Sequence, residues 1–214
     1  MISDPVPCGP PSARIIVLAG PSGSGKSRLA NRLGLPVLRL DDFYRDGDDP
    51  DLPHAFGIVD WDDPASWDLH AAVRCSVRLV REGSADVPMY DIPRSRRIGT
   101  HRLALDGCPL LVAEGIFAAD VIPYLRAEGV LAEALCLTHR PLVTFLRRLA
   151  RDLRESRKPP LTLVRRGWAL MRAEPEVVAR QVALGAARCR PHEAELRVRE
   201  LLAESSPDRS RRVS

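Results

Sequence analysis

The sequence predicts an α/β protein with a parallel β-sheet flanked by helices, and three observations carry that expectation. A β-branched apolar run, Ala13-Arg14-Ile15-Ile16-Val17-Leu18-Ala19, passes directly into Gly20-Pro21-Ser22-Gly23-Ser24-Gly25-Lys26-Ser27 and then into helical patterning from Lys26 to Leu33. Further short apolar runs alternate with helical segments, which is the signature of βα units. The runs also end in groups suited to a ligand: the glycine loop, Asp41-Asp42 and Glu114. Open parallel sheets hold ligands beyond the carboxyl ends of their strands, so these are the positions where a site is expected.

The first βα unit is the most specific. G-x-x-x-x-G-K-S behind a buried strand is the phosphate-binding loop of a P-loop NTPase, in which glycines let backbone N–H groups converge on phosphate oxygens at the positive end of a helix. Gly20, Pro21, Ser22, Gly23, Ser24, Gly25, Lys26, Ser27 and Arg28 are therefore the candidate nucleotide-binding residues. Lys26 is expected to reach the β/γ-phosphates and Ser27 to ligate Mg²⁺. Lys26 is one of only two lysines in a chain that otherwise uses arginine, and a compact ammonium fits a phosphate loop better than a guanidinium fork.

Pro36 to Leu40 reads as a second short strand ending in Asp41-Asp42-Phe43-Tyr44. A loop rich in Asp, Pro and Gly follows from Asp46 to Trp61, and Asp63-Pro64 supplies a cap and first-turn proline for a helix to about Arg81, with Trp67 on its apolar side. The segment from about 85 to 106 reads as a small β-hairpin insertion. A buried strand, Pro109 to Ala113, ends in Glu114-Gly115; a helix near Ala119 to Glu128 and a strand from Ala132 to Leu137 come next. An Arg-rich helix is expected from Pro141 to about Ser156, stopped by Pro159-Pro160, with helical patterning again over Leu161 to Met171 and Glu176 to Leu184. Residues 1–12 read as a flexible segment, 13–204 as one domain, and 205–214 as a disordered polar tail.

At 214 residues the chain is long enough to bury a sizeable core. Its five cysteines are scattered without C-x-x-C spacing, so neither a disulfide framework nor a zinc site is implied, and a cytoplasmic setting is expected. No apolar run approaches membrane-spanning length. The formal net charge is only +4, but arginines cluster between Arg140 and Arg172. Without aromatic interleaving or a helix-turn-helix pattern they do not read as a nucleic-acid surface. Beside a nucleotide loop they read as phosphate clamps.

Taken together, the motifs resemble the uridine/cytidine kinases and related P-loop small-molecule kinases. The resemblance rests on G-P-S-G-S-G-K-S, L-D-D-F-Y-R, W-D-D-P-A-S-W-D, P-M-Y-D-I with Arg97 downstream, V-A-E-G-I-F, and the R-R-x-x-R-D segment beginning at Arg147, in matching order over residues 14 to 158. It implies phosphoryl transfer from ATP with Mg²⁺ to a hydroxyl of a small molecule, most directly uridine or cytidine. By position, Asp41 is then the catalytic carboxylate beside Lys26; Ser27, Glu114 and Asp41 lie near Mg²⁺; and Asp62, Tyr90, Ser95 and Arg97 lie on the acceptor side. Arg147, Arg148, Arg151 and Arg157 form an Arg-rich helical lid over about 141–160 that would exclude water and favour transfer over hydrolysis.

Each role has a structural alternative. Asp41 can cap a turn with Asp42, Asp62 can serve the start of the following helix, and Tyr90 can be an ordinary strand aromatic. Glu114 is harder to explain that way, since a carboxylate ending an apolar strand needs a partner. The chain also departs from the pyrimidine kinases: Ser95 stands where they carry a histidine, and Thr144 where they carry an acceptor-contacting arginine. Kinases of pantothenate, ribulose phosphate or another sugar-like alcohol therefore stay open as alternatives, as does a regulatory nucleotide-hydrolysing switch. The sequence leaves a homo-oligomer open as well.

Overall fold

The computed structural model describes residues 11–55, 57–138 and 174–205. Strand β1 (Arg14–Ala19) runs through the glycine loop into α1 (Lys26–Leu33), which ends at Gly34 in the left-handed region. β2 (Val37–Arg39) gives way to a 3₁₀ turn over Leu40–Phe43, and a small ribbon of β3 (His54–Ala55) and β4 (Ile58–Val59) follows. Helix α2 (Leu69–Glu82) leads into the hairpin β5 (Ser84–Asp91) and β6 (Arg96–Ala104). Next come β7 (Leu110–Glu114), a 3₁₀ turn over Ala118–Val121, α3 (Ile122–Ala127) and β8 (Leu131–Leu137). After the undescribed stretch, helix α4 (174–183), β9 (Ala187–Cys189) and α5 (Pro191–Ser205) complete the described chain.

Five strands form one parallel sheet in the order β2-β7-β1-β8-β9. The alternation of β1 divides the core between the sheet's two faces. Ile15, Val17 and Ala19 join a cluster with α2 and α3, whereas Ile16 and Leu18 join Leu29 and Ala30 of α1 and Ala194 and Val198 of α5. A strand buried on both faces reads as an unbroken apolar run, which is why this one is visible in the sequence. The hairpin forms its own two-stranded ribbon, as expected, and β6 is exposed over most of its length.

Two sequence expectations are corrected. Asp41 and Asp42 do not end a strand; they lie on the 3₁₀ turn, which buries Leu40 and Phe43 on either side of them. The helix expected from Asp63-Pro64 is split: Asp63 caps only a 3₁₀ turn over Pro64–Ser66, and α2 begins after Asp68, whose carboxylate accepts from the Ala71 N–H at 2.8 Å. Trp67 makes the break. It leaves helical geometry to bury its ring and to donate its indole N–H to the Leu40 carbonyl at 2.7 Å. β9 and α5 have no counterpart in the sequence reading. The expected helices over Pro141–Ser156 and Leu161–Met171 lie outside the described residues.

Among the described residues no helix is long and apolar enough to cross a membrane.

Candidate active site

The loop between β1 and α1 depends on backbone shapes that favour glycine: Gly20, Gly23 and Gly25 have φ of 137°, 84° and 92°. Gly20 is also pressed against the end of β8, where a Cβ would lie 2.5 Å from the Leu137 carbonyl oxygen. Within this curl the buried Lys26 ammonium donates to the Gly20 and Pro21 carbonyls at 2.8 and 3.2 Å. The Ser24 hydroxyl is buried with no hydrogen-bond partner among the described residues. A buried hydroxyl without a partner is costly, and inside a phosphate loop it fits an oxyanion acceptor. Arg28 is exposed on the first turn of α1.

Three of the expected groups converge at the carboxyl ends of the strands. The Ser27 hydroxyl donates to Glu114 Oε1 at 2.8 Å, and Arg39, the last residue of β2, lies in register with Glu114. Burial pushes the Glu114 carboxyl above the usual carboxylate range, and Asp41 adds to the effect. The Ser27 hydrogen bond and the charges of Lys26 and Arg39 act against it. Asp41 Oδ1 accepts the Ile116 N–H at 2.9 Å. Gly115 permits that approach, because a Cβ there would sit 2.7 Å from the same oxygen. Among the described residues no group of three or more His, Cys, Asp or Glu side chains forms a metal cage. Two carboxylates and a serine hydroxyl suit Mg²⁺, which keeps waters and phosphate oxygens as its remaining ligands.

The region expected to take the acceptor is organised by Tyr44, which is not among the candidate site residues of the sequence. Its ring lies 5.6 Å from Trp61, 5.8 Å from Tyr90 and 6.0 Å from Phe117, and its hydroxyl donates to the Trp61 carbonyl at 3.2 Å. Burial, with the charges of Asp41 and Asp62 adding to it, pushes the Tyr44 phenol up. Tyr44, Trp61 and Phe117 each stand in a separate motif, L-D-D-F-Y-R, W-D-D-P-A-S-W-D and V-A-E-G-I-F, and nothing in those motifs says that the three rings meet. Tyr90 lines the same wall and donates its hydroxyl to the Arg45 carbonyl at 2.9 Å. Burial, with help from Asp46, pushes its phenol up to about 12, so it remains neutral.

Ser95 and Arg97 hold loops together. Ser95 occupies the hairpin turn with φ of 49°, and its carbonyl accepts the Gly47 N–H at 2.6 Å. The Arg97 N–H donates to Asp46 Oδ1 at 2.6 Å. These bonds dock the Asp-rich loop on the hairpin tip around a cleft of about 320 Å³ lined by Asp46, Gly47, Asp48, Arg94, Ser95 and Arg96. A larger cavity, about 430 Å³, lies around Arg14, Arg126 and Leu131 at the opposite, amino ends of β1 and β8. Ligands of open parallel sheets bind at the carboxyl ends, so the loop side is the candidate site. Arg147, Arg148, Arg151 and Arg157, and with them the expected lid, lie outside the described residues.

No family model matches the chain. It is 30% identical over 148 residues to a uridine kinase of Saccharomyces cerevisiae, covering 65% of this chain and 29% of that protein. It is 31% identical over 150 residues to a uridine kinase of Schizosaccharomyces pombe, covering 65% and 32%. The chain thus spans about a third of the length of these two relatives. Among solved structures, a proposed fructose transport system kinase from Silicibacter sp. TM1040 superposes with a TM-score of 0.57 at 20% identity, covering 81% of this chain and 87% of that one. That likeness is one of fold.

Proposed function

We propose that this chain, uridine kinase-like in sequence and built on the fold of P-loop kinases, transfers the γ-phosphoryl group of ATP to a hydroxyl of a small molecule, with the 5′-hydroxyl of uridine or cytidine as the leading acceptor. The observation that supports it most is the Ser27–Glu114 hydrogen bond with Asp41 beside it, at the strand ends where a P-loop kinase needs its metal and its base. Mg²⁺·ATP, when bound, supplies the electrophilic phosphorus and neutralises phosphate charge. The loop amides and Lys26 hold the phosphates, and Ser27, Glu114 and Asp41 offer the oxygen donors on the metal side. Asp41 has Oδ1 tied to Ile116, which leaves Oδ2 to orient the acceptor hydroxyl and take its proton. Tyr44, Trp61 and Tyr90 wall the acceptor, and Asp62 accepts from its hydroxyls. By resemblance, Arg147, Arg148, Arg151 and Arg157 meet the triphosphate.

The test is ADP release with Mg²⁺·ATP and a panel of ribonucleosides, deoxynucleosides, pantothenate, ribulose phosphate and sugars, against the rate without acceptor. Stimulation by uridine or cytidine, with deoxynucleosides poor, is the expected result, because a polar site deprived of its matched hydroxyl discriminates strongly. Stimulation only by another alcohol would reject the nucleoside and keep the kinase. Hydrolysis that no acceptor accelerates would favour a nucleotide-dependent switch.

A further inference from the structure

Helix α4 passes behind the turn that leaves β7, and there it carries a glutamine into the core. Gln181 is 2% exposed. Its Oε1 accepts the Cys136 thiol of β8 at 3.3 Å, and burial pushes that thiol up, which keeps it protonated and a donor. With Oε1 so engaged, the amide NH₂ faces the other way, and Nε2 donates to the Ile116 carbonyl at 3.5 Å. Ile116 is the residue whose N–H holds Asp41 Oδ1 at 2.9 Å. It is therefore gripped on both sides, its carbonyl by Gln181 and its amide hydrogen by Asp41. The grip is anchored, since the neighbouring Arg180 pairs with Asp120 on the 3₁₀ turn that follows Ile116. A leucine or methionine would fill the same space without a buried amide to satisfy, so the polar side chain is better explained by what it bonds than by packing.

We infer that Gln181 is a positioning residue for Asp41, acting through Ile116 and tying the carboxylate on the 3₁₀ turn after β2 to helix α4 and strand β8. The inference rests on Asp41 being the group that takes the acceptor proton. A displacement of a fraction of an ångström at such a carboxylate costs rate more than nucleotide binding.

The test is Gln181→Met, which keeps length and removes the amide, made alone and in an Asp41→Asn background. With the best acceptor of the panel, Gln181→Met alone is expected to lower kcat about tenfold while KM for ATP changes less than about twofold. In the Asp41→Asn background it should cost less than about twofold, the non-additivity of residues that act through one another. Amide hydrogen exchange gives a readout without turnover: protection at Ile116 should fall while that of β1 and β7 holds. An equal loss in both backgrounds, an unchanged kcat, or a uniform loss of protection across the sheet would overturn the inference. Full activity of Asp41→Asn alone would remove the reading of Asp41 first, and is distinguishable for that reason. If Gln181→Met fails to fold, Cys136→Ser and Cys136→Val decide: the hydroxyl still donates to Oε1 and should keep Ile116 protected, whereas valine should not.

Discussion

Ser27 and Glu114 are 87 residues apart in the chain, yet the Ser27 hydroxyl reaches Glu114 Oε1 at 2.8 Å and locks the start of α1 to the end of β7. The bond stabilises a carboxylate that its surroundings otherwise disfavour. Burial raises the Glu114 pKa above its ordinary 4.5, so over the window above that value the folded chain holds a proton that the unfolded chain has released. More protons bound when folded means that Glu114 subtracts stability as pH rises through this window. Glu114→Gln removes the titration. Its melting temperature should gain on that of the parent protein as pH rises above about 4.5 without nucleotide, and its Mg²⁺-dependent turnover should collapse. A melting-temperature difference that stays flat with pH would refute this account of Glu114.

Lys26 is held ready by the Gly20 and Pro21 carbonyls of the loop. Lys26→Ala is expected to lower transfer by at least about 10²-fold, the usual consequence of removing a preorganised charge from a phosphoryl-transfer site. Lys26→Arg should restore little, because the planar guanidinium does not fit between the Gly20 and Pro21 carbonyls as an ammonium does. Steady-state ADP release, with circular dichroism to confirm folding, checks both; near-normal turnover in the alanine variant would exclude the loop as the catalytic phosphate site.

The loop and the central strands were legible because each depends on local rules. Glycines are needed where φ is positive, and β1 and β7, buried on both faces, leave unbroken apolar runs. Glu114 stood out as a charge at the end of such a run. The aromatic wall was not legible, since Tyr44, Trp61 and Phe117 meet only after folding and each would pass for core on its own. Trp67 misled the reading for a related reason: its position fits a helical stripe, but the indole is worth more buried against Leu40 than kept in the helix. Arg97 follows the P-M-Y-D-I motif and Ser95 stands where the family carries a histidine, and what the structure shows of them is backbone bonding between loops.

Asp41 and Asp42 are adjacent on one 3₁₀ turn and do different work. Asp42 Oδ1 accepts the Tyr90 N–H at 3.3 Å, tying the turn to the hairpin, and burial raises its pKa against the opposing charge of Arg39. An asparagine there keeps an acceptor oxygen and loses a charge that burial already disfavours, so Asp42→Asn should be mild. Asp41→Asn keeps the bond from Ile116 but has no base, and should bind Mg²⁺·ATP nearly normally while losing about 10²-fold or more in transfer. Nucleotide-induced thermal shift and ADP release measured on both variants check the ranking. The reverse order would move the proton acceptor to Asp42.

Gly115 gives the sharpest steric test of the site. Its backbone is outside the left-handed region, so alanine brings no conformational strain, but the added Cβ would sit 2.7 Å from Asp41 Oδ1 and 3.0 Å from Leu40 Cβ. Leu40 is fully buried and cannot move away easily, so Asp41 must yield and its bond to Ile116 must lengthen. Gly115→Ala is therefore expected to lower transfer about tenfold or more while the nucleotide-induced thermal shift persists. Gly34→Ala is the matched control, because no atom lies within 4 Å of its added Cβ and its φ of 67° is left-handed. That variant should lose about 1–2 kcal/mol of stability through backbone strain and keep its rate. If Gly115→Ala instead loses stability and keeps its rate, as the control does, then the placement of Asp41 does not limit the reaction.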